Sequence, residues 1–192
     1  MDKIILASAS PRRAELLDQI GVSYKIQAVN IDENNHFQEK PEALVKRLAE
    51  EKSQAIKNSV IPVLGSDTLG TINNELLIKP KDFQHAKSML QKISGEWHDI
   101  LTAVSITYLD TTKTIVNNNR VLFREITNDE IQAYWNTGEP HDKAGAYAIQ
   151  GIAACFIEKI EGSYSGIMGL PLFETSQLLE QFGISIMQKE NK

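Results

Sequence analysis

Two arginines stand side by side in Ser8-Ala9-Ser10-Pro11-Arg12-Arg13, where a short apolar run meets a proline suited to the first position of a helix. Cations there oppose the helix dipole. The pair therefore either is solvated, its stems covering apolar surface, or faces an anion that completes a site. The planar fork of arginine suits phosphate oxygens. Lys52 poses a related question. At about 100° per residue it falls inside the arc of Leu44, Leu48, Ala55 and Ile56, on the face that should point inward. A buried lysine without a charge partner is costly, so it either snorkels at the edge or lines a polar cavity facing an anion.

Asp67 follows the apolar strand Val60–Leu64 and the permissive Gly65. A carboxylate at the end of a buried strand lies where α/β proteins usually bind ligands. Because Leu69-Gly70-Thr71-Ile72 reads as strand rather than helix, a ligand-facing role suits Asp67 better than a helix cap. Asp32-Glu33 is either an ordinary pair of solvated loop carboxylates or, with Asp67, a source of oxygen ligands for Mg²⁺. Lys79, before Pro80, is a surface lysine or another phosphate cation. The segment Thr137–Gly151 carries Lys143 and Gln150 among small residues, and six of the eleven glycines fall between Gly138 and Gly169. Glycine permits close backbone approach, which makes this stretch a candidate wall of a site. A glutamine amide donates and accepts together, as the edge of a nucleobase requires, although the segment in isolation is simply a loop.

The elements that must position these residues are legible in outline. Lys3–Ser8 reads as a short buried strand. Ser10-Pro11 opens a helix that Gly21 stops. After a polar loop over Asn30–Lys40, Pro41 starts a second helix. Asn73-Asn74 looks like a hairpin tip, and Asp82–Ser94 is a third helix closed by Gly95. Strands follow at Ile100–Leu109 and about Thr114–Ile126. Thr127-Asn128-Asp129-Glu130 matches a capping box for a fourth helix running to Gly138. A last strand is expected near Ala153–Ile160 and a final helix over Pro171–Gly183, followed by a tail that frays. Hairpins interrupt the alternation of strands and helices, which favours an α/β fold with a mixed sheet flanked by helices.

Composition bounds the function class. The chain has 192 residues, and 20 Lys+Arg against 25 Asp+Glu leave a net charge of −5, which argues against a general nucleic-acid binder. Its 42% hydrophobic and 23% charged content is that of a soluble globular protein with ample core, excluding disordered and fibrous classes. No stretch approaches the roughly 20 apolar residues of a membrane span. Ile4-Ile5-Leu6-Ala7 is too short for the about 7–15 residues of a signal-peptide core. With Cys155 as the single cysteine, no intrachain disulfide is possible, and a reducing cytoplasmic setting is expected. Cys155 itself falls in the apolar Ala153–Ile157 run, where packing is expected rather than nucleophilic chemistry. His36, His85, His98 and His141 lack metal-ligand spacing, and neither a Gly-Lys-Ser/Thr phosphate loop nor a Gly-x-Gly-x-x-Gly fingerprint is present.

Taken in order, Ala7–Leu17, Ile31-Asp32-Glu33, Gly65–Thr68, Lys79-Pro80, Gly138–Gly151, Gly162-Ser163-Tyr164 and Gly169–Leu172 resemble the Maf family of nucleoside triphosphate pyrophosphatases from Leu6 to about Leu179. The resemblance implies one domain over residues 1–185 with a short tail over 186–192. Its fold would be like that of the inosine-triphosphate pyrophosphatase group, two lobes about a central cleft, and commonly a homodimer. It also implies hydrolysis dependent on Mg²⁺ or Mn²⁺ between the α- and β-phosphates, giving a nucleoside monophosphate and pyrophosphate. Carried onto this chain, Asp67 is the proton acceptor. Arg12, Thr68 and Gln150 match specificity positions, and Ser8, Arg13, Glu33, Lys52, Lys79 and Lys143 match the phosphate and metal shell, with Glu33 and Asp67 as metal ligands. Lys143–Tyr147 with Gln150-Gly151 resembles the branch acting on dTTP, UTP and their modified forms. Ser66 departs from the family's usual alanine and Leu69-Gly70 from a more β-branched pair. Both changes bear on where the strand ends, and a change of rate rather than of reaction is expected from them. The rival reading is a nucleotide-binding regulator of division or growth with slow or incidental hydrolysis.

Overall fold

The computed structural model describes residues 3–186 of the chain. Among these residues seven strands, β1 (Ile4–Leu6), β2 (Tyr24–Ile26), β3 (Val63–Ile72), β4 (Glu75–Leu77), β5 (Trp97–Tyr108), β6 (Thr111–Phe123) and β7 (Ile157–Glu161), join in one sheet of order β2-β1-β3-β5-β6-β7, with β4 paired to β3. The sheet is mixed. β1 runs parallel to both β2 and β3, while β3–β4 and β6–β7 are antiparallel. Among the described residues six α-helices accompany it: α1 (Pro11–Gln19), α2 (Pro41–Gln54), α3 (Phe83–Ile93), α4 (Asn128–Asn136), α5 (Tyr164–Met168) and α6 (Leu172–Gln181). Among the described residues no helix is long and apolar enough to cross a membrane.

Local chemistry accounts for the element ends. Pro11 and Pro41 open α1 and α2, and neither helix has a side-chain cap, so the proline's preset φ and missing N–H stand in for one. Asp82 accepts from the His85 N–H at 2.8 Å to start α3. The capping box of α4 is present in full, with Thr127 and Glu130 bonding each other's backbone N–H. Asn73 and Asn74 both adopt positive φ, the conformation a two-residue hairpin needs between Ile72 and Glu75.

The chain divides into two compact units whose boundaries fall inside β3, β5 and β6. The first comprises the described parts of Met1–Thr68, Thr102–Asn117 and Gly169–Lys192, the second Leu69–Leu101 and Asn118–Met168. In the first, Ile5, Ala7 and Val63 pack with Val29, Ile56 and Ile61, and the buried stripe of α2 is Leu44, Val45, Leu48, Ala49 and Lys52. In the second, Leu90, Ile93, Val121, Phe123, Tyr134 and Phe156 belong to one large core cluster.

Four expectations need correction. β3 does not end before Asp67. It continues unbroken to Ile72, because its far half pairs with β4, and Asp67 lies mid-strand, beyond the point where the parallel partner β1 stops opposite Leu64. Neither Ser66 nor Leu69-Gly70 interrupts it. The strand also begins later, and Val60 is exposed. α2 stops at Gln54, so Ala55, at its C-cap, is exposed rather than part of the buried stripe, and Ile56 lies past the helix. Residues Ile152–Phe156 form a 3₁₀ turn instead of strand, which turns Cys155 out to solvent rather than into the core. The expected tail lies outside the described residues apart from residue 186.

Candidate active site

Gly65 decides how closely α2 approaches β3. A Cβ at this position would stand 2.4 Å from the Ala49 carbonyl oxygen and 2.5 Å from the Ser53 nitrogen, so only glycine admits the helix backbone against the strand. The contact brings Lys52, on the buried stripe of α2, against Asp67, two residues beyond Gly65. Lys52 Nζ donates to Asp67 Oδ1 at 2.6 Å and lies 2.7 Å from Glu33 Oε1, reaching in from the loop between β2 and α2. Lys52 thus neither snorkels nor faces solvent. The anions opposite it are two carboxylates of its own chain, and charge-assisted hydrogen bonding compensates a burial that would otherwise be costly.

The Glu33 loop has almost no regular structure and is held from α2. Arg47 grips Glu39 with two parallel bonds, Nε to Oε1 at 2.8 Å and Nη2 to Oε2 at 2.9 Å, and Nη2 also donates to the Asn34 carbonyl at 2.9 Å. Glu51 meets the remaining face of the guanidinium at 3.1 Å. Arg47 and the His36 N–H hold the Glu39 carboxyl down at about 2.

Arg13 organises a second group. Its Nε donates to the Gly169 carbonyl at 2.9 Å, Nη1 to Ser8 Oγ at 3.0 Å and Nη2 to Thr68 Oγ1 at 3.4 Å. Thr102 Oγ1 donates to Thr68 Oγ1 at 3.0 Å, and the Ser10 N–H donates to Ser8 Oγ at 3.2 Å. Ser66, fully buried, places its hydroxyl 2.8 Å from the Ala103 carbonyl and 3.0 Å from that of Gly169. The serine is therefore accommodated by two acceptors and leaves the strand in place. Burial lowers the Arg13 guanidinium from its ordinary value, the charge of Asp67 opposes this, Arg12 adds to it and Glu33 opposes it again. Arg12 is half-buried in the first turn of α1.

The first unit therefore gathers Glu33, Lys52 and Asp67 in one cluster and Ser8, Arg13 and Thr68 in another, with Asp67 and Thr68 adjacent on β3. Lys79, Lys143 and Gln150 belong to the second unit. There the Gly145 N–H donates to the Ile78 carbonyl at 3.1 Å, which ties the Lys143 segment to the residue before Lys79. Lys143 pairs with Asp142, and Gln150 is exposed. Sequence reasoning missed the anchoring roles of Arg47, Thr102 and the Gly169 carbonyl. Arg47 and Glu39 carried no distinguishing signal, and a backbone carbonyl carries none. The positive φ of Gly169 was signalled only by its place in the Gly169–Leu172 block.

Among the described residues no group of three or more His, Cys, Asp or Glu side chains is placed to hold a metal ion. Glu33 and Asp67 do converge on one point, marked by Lys52 Nζ. Two carboxylates suit Mg²⁺, which takes few protein oxygens and completes its shell with water and substrate phosphates. That point is taken by the Lys52 ammonium, so Glu33 and Asp67 would hold an ion only beside it, with substrate phosphates supplying further oxygens.

The chain is similar to known proteins over nearly its whole length. It is similar to a dTTP/UTP pyrophosphatase of Alkalilimnicola ehrlichii, with 50% identity over 189 residues, 94% of this chain and 93% of that protein. It is also similar to proteins of the same name from Hahella chejuensis, 46% identical over 96% of this chain and 94% of that one, and from Vibrio cholerae, 43% identical over 95% and 99%. The family profile described as Maf-like protein matches residues 3–182, and the chain belongs to that family.

Proposed function

We propose that the chain hydrolyses dTTP and UTP at the bond between the α- and β-phosphates, releasing the nucleoside monophosphate and pyrophosphate. The observation that carries the reading is the Glu33–Lys52–Asp67 cluster, supported by relatives named for this activity. Asp67 accepts the proton of the attacking water. A bond from the water oxygen to phosphorus forms, the bridging phosphorus–oxygen bond breaks, and the leaving phosphate group takes the electron pair. General-base assistance of this kind contributes on the order of 10²–10⁴-fold. Lys52 orients the Asp67 carboxylate through its 2.6 Å contact. Arg13, preorganised by Ser8, Thr68 and Gly169, is a fixed cation beside Asp67 that stabilises phosphate charge without rearranging. Arg12 in the first unit and Lys79 and Lys143 in the second are cations for the triphosphate, and Thr68 and Gln150 read the nucleotide. Glu33 and Asp67 would hold Mg²⁺ or Mn²⁺, which would supply neutralisation of phosphate charge.

The same proposal extends to a homodimer, on the family likeness, and to the cytoplasm, on the unpaired Cys155. The decisive experiment is a product-resolved hydrolysis screen over dTTP, UTP, CTP, dATP, GTP, 5-methyl-UTP and 7-methyl-GTP, with Asp67→Asn alongside. Pyrophosphate with dTMP or UMP, absent in the variant although nucleotide still binds, is the expected outcome. Near-normal activity in Asp67→Asn removes Asp67 from the reaction. Stoichiometric binding without turnover in the parent chain replaces the enzyme with a nucleotide-binding regulator.

A further inference from the structure

In the second unit the Glu139 carboxylate bonds to chain well beyond its own place in sequence. Its Oε2 accepts from the Ile152 N–H at 2.7 Å, and its Oε1 accepts from the Tyr134 hydroxyl at 2.7 Å and the Ala153 N–H at 3.3 Å. These bonds close the chain between residues 139 and 152 into a loop fastened at its base. Lys143 and Gln150 are both inside it.

Gly151 shows that the fastening shapes the sequence around it. A Cβ at Gly151 would lie 2.3–2.4 Å from the Glu139 carboxylate, although its φ of −107° is open to any residue. The glycine is required there by the carboxylate and not by its own backbone conformation. Tyr134, 2% exposed, gives the other carboxylate oxygen a rigid donor on α4. Inside the loop two further ties fix the backbone: the Gly145 N–H on the Ile78 carbonyl, and the Tyr147 hydroxyl 2.7 Å from His98 Nε2 on β5. The exposed side chain of Gln150 therefore projects from a segment whose ends and middle are tethered, the arrangement that a selective contact requires.

We infer that Glu139 is a positioning residue for substrate selection: it closes the Pro140–Gly151 loop and thereby sets where Gln150 meets the base and where Lys143 meets the phosphates. The inference rests on the pyrophosphatase reading for the identity of the ligand. Glu139 touches neither the nucleotide nor Asp67, and acts only through the loop. Releasing the loop weakens contacts to the base more than it slows the chemical step, so the effect falls on KM and on discrimination rather than on kcat.

The test compares Glu139→Ala, Glu139→Gln and Gly151→Ala with the parent chain, each first checked by thermal melting. Steady-state hydrolysis of UTP and GTP is then measured, together with hydrogen exchange at the Ile152 and Ala153 amides. In Glu139→Ala, KM for UTP rises and the UTP-over-GTP preference in kcat/KM falls, each by about tenfold, the scale of one lost charge-assisted hydrogen bond. Exchange at the two amides accelerates. Glu139→Gln is milder, since its amide oxygen still accepts from Ile152 while its NH₂ donates to Tyr134. Gly151→Ala reproduces the loss with Glu139 intact, and it remains informative if Glu139→Ala fails to fold. Folded variants with an unchanged preference overturn the inference, and so does a loss equal for both nucleotides. If the parent chain hydrolyses neither nucleotide, the pyrophosphatase reading fails on its own. The ratio of UTP to GTP dissociation constants in the same variants then decides the role of Glu139.

Discussion

Lys52 Nζ meets Asp67 Oδ1 at 2.6 Å because Gly65, two residues before Asp67, has no side chain to hold α2 away from β3. The interaction joins a packing requirement to a chemical one. The close approach that buries the α2 stripe also delivers a cation that reaches both Asp67 and Glu33.

Gly65→Ala is therefore expected to damage stability and activity together. Its Cβ would overlap the Ala49 carbonyl and the Ser53 nitrogen, both backbone atoms that no rotamer change can move. Overpacking of this kind costs about 1–3 kcal/mol, and displacing α2 by even a fraction of an ångström lengthens the Lys52–Asp67 contact. Denaturant unfolding and kcat should both fall. A variant of unchanged stability with full turnover would show that α2 can recede without cost to the site.

Much of this arrangement was legible in the sequence, for physical reasons that differ by residue. Lys52 could be placed on a buried face because helical periodicity is a local property, and Asn73-Asn74 could be placed at a hairpin because positive φ at both central positions favours asparagine. Asp67 stood out as a candidate carboxylate, but its place in the strand did not. Whether β3 stops after Leu64 or runs on depends on β4 pairing to its far half, a tertiary decision that the apolar run does not encode. The same holds for Cys155: Ala153–Ile157 has the composition of a strand, yet Glu139 captures the Ile152 and Ala153 N–H groups and winds the chain into a 3₁₀ turn. Arg47 was invisible because an arginine gripping a loop has the same local surroundings as one on a solvated helix face.

Arg47 and Glu39 should govern how firmly the Glu33 loop is held. Glu39 sits at about 2 in the fold against an ordinary 4.5, chiefly because Arg47 bonds it and the His36 N–H assists. A depressed carboxyl stabilises the fold above its unfolded value, and that contribution disappears as the pH falls from about 4.5 towards 2. Thermal melts across this window should show a shallower acid loss in Glu39→Gln than in the parent chain. The share owed to Glu130, also held at about 2, by Arg124 first and then the Thr127 N–H, remains in both. Arg47→Ala should in addition expose residues 30–40 to limited proteolysis. Equal cleavage rates would mean that Glu33–Lys52 alone retains the loop.

His98 offers a pH response of opposite chemical origin. It is 1% exposed, packed edge-on against Phe123 and Tyr147, and shares a 2.7 Å hydrogen bond with the Tyr147 hydroxyl. Burial lowers its value from 6.5 to about 4, with the backbone of Glu96 offsetting a little of the effect. A base whose folded value lies below its unfolded one binds more protons when unfolded, so the fold loses stability as the pH falls from about 6.5 to about 4. The integrated loss over that window is on the order of 3 kcal/mol. His98→Gln can still bond the Tyr147 hydroxyl but has no proton to gain, so its unfolding free energy should be flat between pH 6.5 and 5 where that of the parent chain declines. Because Tyr147 lies within the Lys143–Gly151 segment, the same acidification should loosen the loop, and protection of the Gly145 and Tyr147 amides, taken relative to the intrinsic exchange rate at each pH, should fall with falling pH in the parent but not in the variant. A parent chain whose stability is level from pH 6.5 to 5 would mean that His98 gains its proton without leaving its place against Tyr147.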